Sequence, residues 1–351
     1  GLEDRPPVMV GSHIDTVATG GLYDGNLGVL AGLEVVAALN DAQTEKCSPI
    51  AVAVFTNEEG VRFAPDMMGS LVFAGQLAID EAYRQVDRDG VRVDQALAQI
   101  GYLGAQACGF SVGCYLELHI EQGPVLEAEG ITIGVVTGVQ GISWTEFEFA
   151  GVSNHAGTTP MGMRSDAGFV AGAVSSIVQD IARSIPGQLG TVDVVEVEPC
   201  LVNVIARKSR VVVDLRNDDE SLLRDAEQAL NERVGTLARQ EGVGCTSRSL
   251  VRTSPVQFSD RIVETVERTA TACGHSARRM VSGAGHDAQM LASVCPSGMI
   301  FIPSHDALSH NVDEYSSPPE VAAGAEVLLN AVLDLAERVE PEIQRRADGP
   351  L

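Results

Sequence analysis

Glu58 and Glu59 stand side by side in "FTNEEGVRF", directly after the apolar run "AVAVF". Adjacent carboxylates repel, and a chain of formal net charge −24 gains nothing from one more pair of acids. They become useful around a cation: one ligates it, the other stays free as a general base, and the positive charge screens their repulsion. An EE pair is ordinarily a solvated loop, but this one closes a strand-like segment. Other residues of related chemistry sit in similar places. His13 and Asp15 in "GSHIDTV" are two apart at the end of another apolar run, so they project to one side. A carboxylate beside an imidazole fixes its tautomer and raises its basicity, and a plain strand-end salt link is the alternative. Asp24 in "GGLYDGNLGV" precedes a helical pattern, where it serves as helix cap or as ligand. His119 ends the run "LELHI", and His310 lies in the polar turn "ALSHNVDE". A single histidine of this kind is more often structural than a ligand. Together these residues form a set of oxygen and nitrogen donors without Cys, suited to Zn²⁺, Mn²⁺ or Co²⁺.

Such residues need elements to present them. The first third of the chain alternates apolar runs ("PPVMVGSHID", "PIAVAVFTN", "CYLELHI") with helical stretches ("LGVLAGLEVVAALND", "LVFAGQLAIDEAYRQV"). That alternation predicts an α/β fold with a largely parallel sheet, whose ligand sites lie at the carboxyl ends of the strands. From about residue 140 the pattern changes. "ISWTEFEFAG" alternates like a strand with one wet face, "SDAGFVAGAVSSIVQDIARSI" is helical, and "GTVDVVEVEP" and "SRVVVDLRN" are strands. "DDESLLRDAEQALNERVGTLARQEG" is a long helix with an acidic start, and "CTSRSLVRT" is a final strand. This β-α-β-β-α-β order is the ferredoxin-like split arrangement and predicts an inserted domain over 139–254. The strand "GMIFIP" and the helix "PEVAAGAEVLLNAVLDLAERV" then return the chain to the first domain, expected over 1–138 and 255–351.

Bulk composition narrows the function classes. With 351 residues, 45% hydrophobic and 21% charged, the chain is of ordinary globular type and long enough for two domains. The 48 acidic residues against 24 basic ones argue against nucleic-acid or anionic-membrane partners. No run approaches the roughly 20 apolar residues of a membrane span. Seven cysteines at 47, 108, 114, 200, 245, 273 and 295, without a CxxC pair, predict neither a disulfide framework nor a thiolate zinc site, but buried or idle thiols in a reducing cytosol.

The blocks "GSHIDTVATGGLYDGNLGV", "FTNEEGVRF", "LELHIEQGPVLE", "GISWTEFEFAGVSNHAGTTPMGMRSDAG", "SGAGHDA" and "SHN" resemble the hydantoinase/carbamoylase amidases. That group holds N-carbamoyl-L-amino-acid hydrolases, β-ureidopropionases and allantoate amidohydrolases, within the aminoacylase and carboxypeptidase-type dinuclear metallohydrolases. "EQGP" and "NHAGTTPM" separate this branch from the peptidases of the same superfamily.

The resemblance implies two divalent metal ions per subunit, bridged by Asp24, with His13 and His119 on one side and Glu59 and His310 on the other. It implies Glu58 as base, taking a proton from water and returning it to the departing nitrogen, with Asp15 beside His13. Gln122 would hold the ureido group, and His155 the developing oxyanion, within one chain or across a dimer interface. Asn203 and Arg216 would bind the substrate, Arg216 as partner of its carboxylate, although a pair with Asp214 on the same strand face is the competing reading of that arginine. Gly285 would offer a backbone contact, and His286 and Asp287 would pack behind the ligands. His305 reads as a surface residue or an alternative ligand. The expected partners are a small carboxylated ureido substrate and a second copy of the chain, a homodimer formed through the inserted domain. That domain would act as a lid, closing about hinges near Gly138 and Ser254. Members of the group usually carry further residues ahead of the "GSH" strand, so a shortened N-terminal part and an uncovered sheet edge are expected. Competing readings are an aminoacylase or dipeptidase of the same superfamily and a non-catalytic metal- or partner-binding relative.

Overall fold

Apolar runs without alternation form strands covered on both faces, and three such strands make the middle of the main sheet. The computed structural model describes residues 5–44 and 48–338; Cys47 and Val339, included in the readings above, lie outside them. The chain sorts into two compact units, one of described residues up to Gly138 and from Gln257 onward, the other Val139–Val256.

In chain order the elements are β1 (Val8–His13), α1 (Asn26–Asp41), β2 (Ile50–Phe55), α2 (Met68–Phe73), α3 (Ile79–Arg84), α4 (Val93–Gln99), β3 (Cys114–Ile120), α5 (Val125–Glu129) and β4 (Ile133–Val139). The second unit follows with β5 (Gly141–Ala150), α6 (Ala167–Ser184), β6 (Leu189–Glu198), β7 (Lys208–Asn217), α7 (Glu220–Gln240) and β8 (Gly244–Thr253). The chain then runs through β9 (Val256–Gln257), α8 (Asp260–Ala272), β10 (Ala277–Ser282), α9 (Asp287–Leu291), β11 (Ser297–Ile302) and α10 (Pro318–Arg338).

The main sheet has the order β10-β4-β11-β3-β1-β2, with β9 paired to β4. The run β11-β3-β1-β2 is parallel, and β4 is antiparallel to β11. Every residue of β1, β3 and β11 is buried, while β2, at the edge of the described sheet, leaves Val54 48% exposed. Helices α1, α8 and α10 pack on these strands. Because the strands are parallel, His13, Phe55 and Ile120 end them on the same side, and the loops that follow gather there.

The stretch "LVFAGQLAIDEAYRQV", expected as one helix, is two. Gly75 adopts φ 71°, its N–H bonds back to Val72 and that of Gln76 to Leu71, so the left-handed residue ends α2 before α3 begins. Strand β10, "ARRMVS", gives no apolar run because it lies at the sheet edge and pairs Arg278 with Glu129 and Arg279 with Glu267.

The second unit is a four-stranded antiparallel sheet in the order β6-β7-β5-β8. Helices α6 and α7 cover one face, burying Phe147, Val174, Ile181, Val213 and Leu230 among others. Both helices start at capping aspartates, Asp166 and Asp219, whose side chains accept backbone N–H groups. On Glu146 of β5, Oε2 meets Arg210 Nε and Oε1 meets Arg248 Nε, each at 2.5 Å. The fold is thus mixed α/β, with a largely parallel main sheet and a separate antiparallel one.

Among the described residues no helix is long and apolar enough to cross a membrane. Among the described residues Cys114 and Cys295 are buried free thiols, and Cys108 and Cys200 are exposed ones.

Candidate metal centre

His13 is the last residue of β1, His119 sits near the end of β3, Glu58 and Glu59 follow β2, Asp24 precedes α1, and His310 lies between β11 and α10. The parallel sheet brings all of them together. Asp24 Oδ1 lies 3.7 Å from His13 Nε2 and 3.1 Å from His119 Nε2. Its Oδ2 lies 3.4 Å from His310 Nε2, which is also 3.6 Å from Glu59 Oε2. Two groups that could hold a cation, His13–Asp24–His119 and Asp24–Glu59–His310, therefore share Asp24, with the ligand atoms of each within 4.8 Å of one another. Glu58 Oε2 stands 3.4 Å from His13 Nε2.

Backbone carbonyls set both buried tautomers. His13 Nδ1 lies 2.9 Å from the Asp15 carbonyl and His119 Nδ1 2.9 Å from that of Ile120. A carbonyl only accepts, so each Nδ1 donates and each Nε2 faces Asp24. The Asp15 carboxylate does not set the His13 tautomer as the sequence suggested. At 4.0 Å from Nδ1, it instead accepts the backbone N–H groups of Glu58 (3.2 Å) and Glu59 (3.1 Å), latching the end of β2 to that of β1. Asn57, at φ 58°, shapes the same turn by donating to the Phe63 and Pro65 carbonyls.

The electrostatics of the cleft fit a cation. It has a volume of about 470 Å³, and the residues that line it, Asp24, Glu58, Glu59 and His310 among them, include no Lys or Arg. Burial, then Asp287, Glu59, Glu117 and Asp24, push the Glu58 carboxyl far above its ordinary range. Burial and Asp24 raise Glu59. Burial alone would raise Asp24, but the hydrogen bond and charge of His119, with His13 and His286, hold it below the usual carboxylate range. Glu59 Oε1 and Gln122 Oε1 are buried without a hydrogen-bond partner. Acids clustered out of water in this way are held neutral by protons or balanced by a positive charge, and carboxylate and imidazole donors are the set that borderline divalent ions take.

Residues behind the two donor groups are held by hydrogen bonds. Glu117, fully buried, accepts from Ser12 Oγ (2.6 Å), Tyr115 OH (3.3 Å) and the Ala288 N–H (2.9 Å). His286 bonds Ser282 Oγ at 2.9 Å, and its ring meets that of His119 edge-on at 4.5 Å. Asp287 is buried at the start of α9. Gly285 lies in the cleft wall. Gln122 donates Nε2 to Asp24 Oδ2 and to Ser309 Oγ, each at 3.0 Å. His305 is outside both ligand groups; it pairs with Glu127 at 3.0 Å on the surface. The sequence does not single out Glu117, Ser309 or Glu314, whose partners come from distant segments, nor Asn57, whose bonds form a local turn six to eight residues long.

On the second unit, His155 and Asn203 come together, with Asn203 Nδ2 3.0 Å from His155 Nε2. The N–H groups of Gly157 and Thr158 donate to His155 Nδ1. Arg216 makes the pair that competed with a carboxylate role: its Nε and Nη2 fork onto Asp214 at 3.0 and 2.7 Å.

Histidines and carboxylates gathered at the ends of parallel strands around a shared aspartate form a candidate centre for divalent metal. The sequence matches Peptidase family M20/M25/M40 across residues 9–334, and the chain belongs to that family. It is 43% identical to an N-carbamoyl-L-amino-acid amidohydrolase of Rhizobium meliloti over 96% of this chain and 82% of the relative. It is 39% identical to an N-carbamoyl-L-amino acid amidohydrolase of Geobacillus stearothermophilus over 95% of this chain and 83% of the relative. A crystal structure of a hydantoinase/carbamoylase family amidase from Burkholderia multivorans superposes with TM-score 0.92 at 43% identity, covering 95% of this chain and 82% of that one. The protein is a hydrolase of C–N amide bonds.

Proposed function

We propose that the protein hydrolyses the carbamoyl C–N bond of N-carbamoyl-L-amino acids, yielding the amino acid, ammonia and carbon dioxide. The observation that carries the chemistry is Asp24 shared between two donor groups with the Glu58 carboxylate beside them, and the amidohydrolase relatives support the substrate class. Two divalent ions, Zn²⁺, Mn²⁺ or Co²⁺, fit these groups: His13, Asp24 and His119 would hold one, and Asp24, Glu59 and His310 the other. When bound, such ions polarise a urea carbonyl, which its two nitrogens deactivate, and acidify water.

The chain's own groups do the rest. Glu58 takes the proton of the attacking water and delivers it to the nitrogen that leaves as the C–N bond breaks. The carbamate so formed falls to ammonia and carbon dioxide. Gln122, whose Nε2 is committed to Asp24 and Ser309, offers its free Oε1 to a ureido N–H. We assign oxyanion stabilisation to His155, oriented by Asn203, and carboxylate binding to Arg216, which exchanges Asp214 for the substrate. A homodimer through the second unit and a cytosolic location complete the reading.

The test is ammonia release by protein stripped of metal and reloaded with each of the three ions, on N-carbamoyl-L-amino acids, N-carbamoyl-β-alanine and allantoate. Metal-dependent turnover of the first is expected. Preferential turnover of either other compound reassigns the substrate within the group, and cleavage of N-acyl amino acids alone overturns the reading.

A further inference from the structure

We infer that Glu314 is a positioning residue that sets Asp24 between the two donor groups and thereby sets the affinity of the shared site for metal. Glu314 is buried, 5% exposed as a residue. Its Oε1 accepts the backbone N–H groups of both Tyr23 and Asp24, each at 3.0 Å, and its Oε2 receives Ser309 Oγ at 3.4 Å. Ser309 Oγ in turn accepts Gln122 Nε2, which also donates to Asp24 Oδ2. These bonds close a ring: Glu314 holds the Asp24 backbone, and through Ser309 and Gln122 it steadies the same residue's carboxylate.

Nothing local does this for the Asp24 loop. The N–H groups of Tyr23 and Asp24 lie ahead of α1 and its cap residue Gly25, outside the reach of any helix cap, and the Asp24 N–H takes an acceptor 290 positions away in sequence. Glu314 also belongs to the segment that carries His310, whose carbonyl receives Thr19 Oγ1 at 3.1 Å. One buried carboxylate thus fixes the register between the loop bearing the shared ligand and the loop bearing its histidine partner. An aspartate whose two oxygens must face different donor groups tolerates little rotation, and outer partners of metal ligands commonly govern affinity by about 10- to 100-fold.

The inference rests on the metal-site reading, and its test separates the two. Metal-free wild type, E314A, E314Q and E314D are titrated with Mn²⁺ and with Zn²⁺ by calorimetry, and each apoprotein is melted by circular dichroism. E314Q retains an oxygen for both N–H groups and should bind within a few-fold of wild type. E314A, and E314D with its carboxyl drawn back by one methylene, should lose about 10- to 100-fold in affinity at one or both sites. E314D carries the test if E314A does not fold. Wild-type affinity in E314A or E314D overturns the inference, even if their apoproteins melt lower, since that is a purely structural role. A loss in E314Q equal to that in E314A also overturns it, because charge rather than placement would then matter. Wild type that binds neither ion sinks the metal-site reading itself.

Discussion

Asp24 meets three imidazole nitrogens with two oxygens, so the conformation of its loop decides whether the centre exists. Gly25 is where that loop is tightest: its φ is +70°, and a Cβ there would lie 2.4–2.5 Å from the His13 ring. G25A should therefore bind metal poorly and lower the melting temperature, through both the clash and the left-handed strain of about 1–3 kcal/mol. Melting curves with metal titration check this, and wild-type affinity would contradict it. Glu58 gives a cleaner chemical prediction. E58Q keeps the shape of the side chain but cannot carry a proton, so kcat should fall by about 10²- to 10⁴-fold with metal content unchanged by elemental analysis. The residues that were readable in the sequence share one property: they are His, Asp or Glu at the end of an apolar run or in a loop beside one, where a buried strand has no other use for them. Glu314 and Glu117 were not readable, since an acid in a polar turn or within a strand looks solvated or misplaced until its donors arrive from remote segments. The role of Asp15 was half readable: the carboxylate was noticed, but which of its oxygens met His13 depends on the backbone path.

Among the elements, the parallel strands and the β-α-β-β-α-β run of the second unit were legible because burial on both faces and one-sided alternation leave different patterns. The break between α2 and α3 was not. Its signal is a single Gly75, and a lone glycine within a helical pattern is ambiguous. With φ +71° and nothing within 4 Å of a Cβ at that position, G75A should cost about 1–2 kcal/mol through backbone strain alone, measurable by denaturant titration; a gain in stability would show that the turn can become helix. The arginines on β5's neighbours make a second element-scale prediction. Hydrogen bonds from Arg248 and Arg210 draw the Glu146 carboxyl down from 4.5 to about 2. A depressed folded-state value means the contribution is complete above pH 4.5 and lost as pH falls toward 2. In E146Q the second unit should be weaker at neutral pH and lack that acid dependence. Trp144 on β5 is the chain's single tryptophan, so its fluorescence in denaturant series from pH 7 to pH 3 follows this unit, and identical slopes in the two proteins would reject the prediction.

At the scale of the molecule, the two units have unlike electrostatic economies. The first keeps buried acids around a cleft without Lys or Arg, and the second neutralises its acids with arginines at close range. Removing metal should therefore weaken the first unit alone, by roughly 4 kcal/mol if free ion had been present at a thousandfold its Kd. Calorimetry before and after chelation should show one transition moving while the one reported by Trp144 stays; movement of both would contradict it. The points where the chain leaves the first unit and returns to it are also neighbours in one sheet: β9 pairs with β4, and the Phe258 N–H bonds to the Thr137 carbonyl at 2.9 Å. A gene shortened to join those two strands by a tight turn asks no ligand-bearing loop to change its path, and residues 139–256 take their own hydrophobic core with them. The second unit is in that sense a cassette, carried between two neighbouring strands of the first unit's sheet and removable without rerouting the donor set around Asp24.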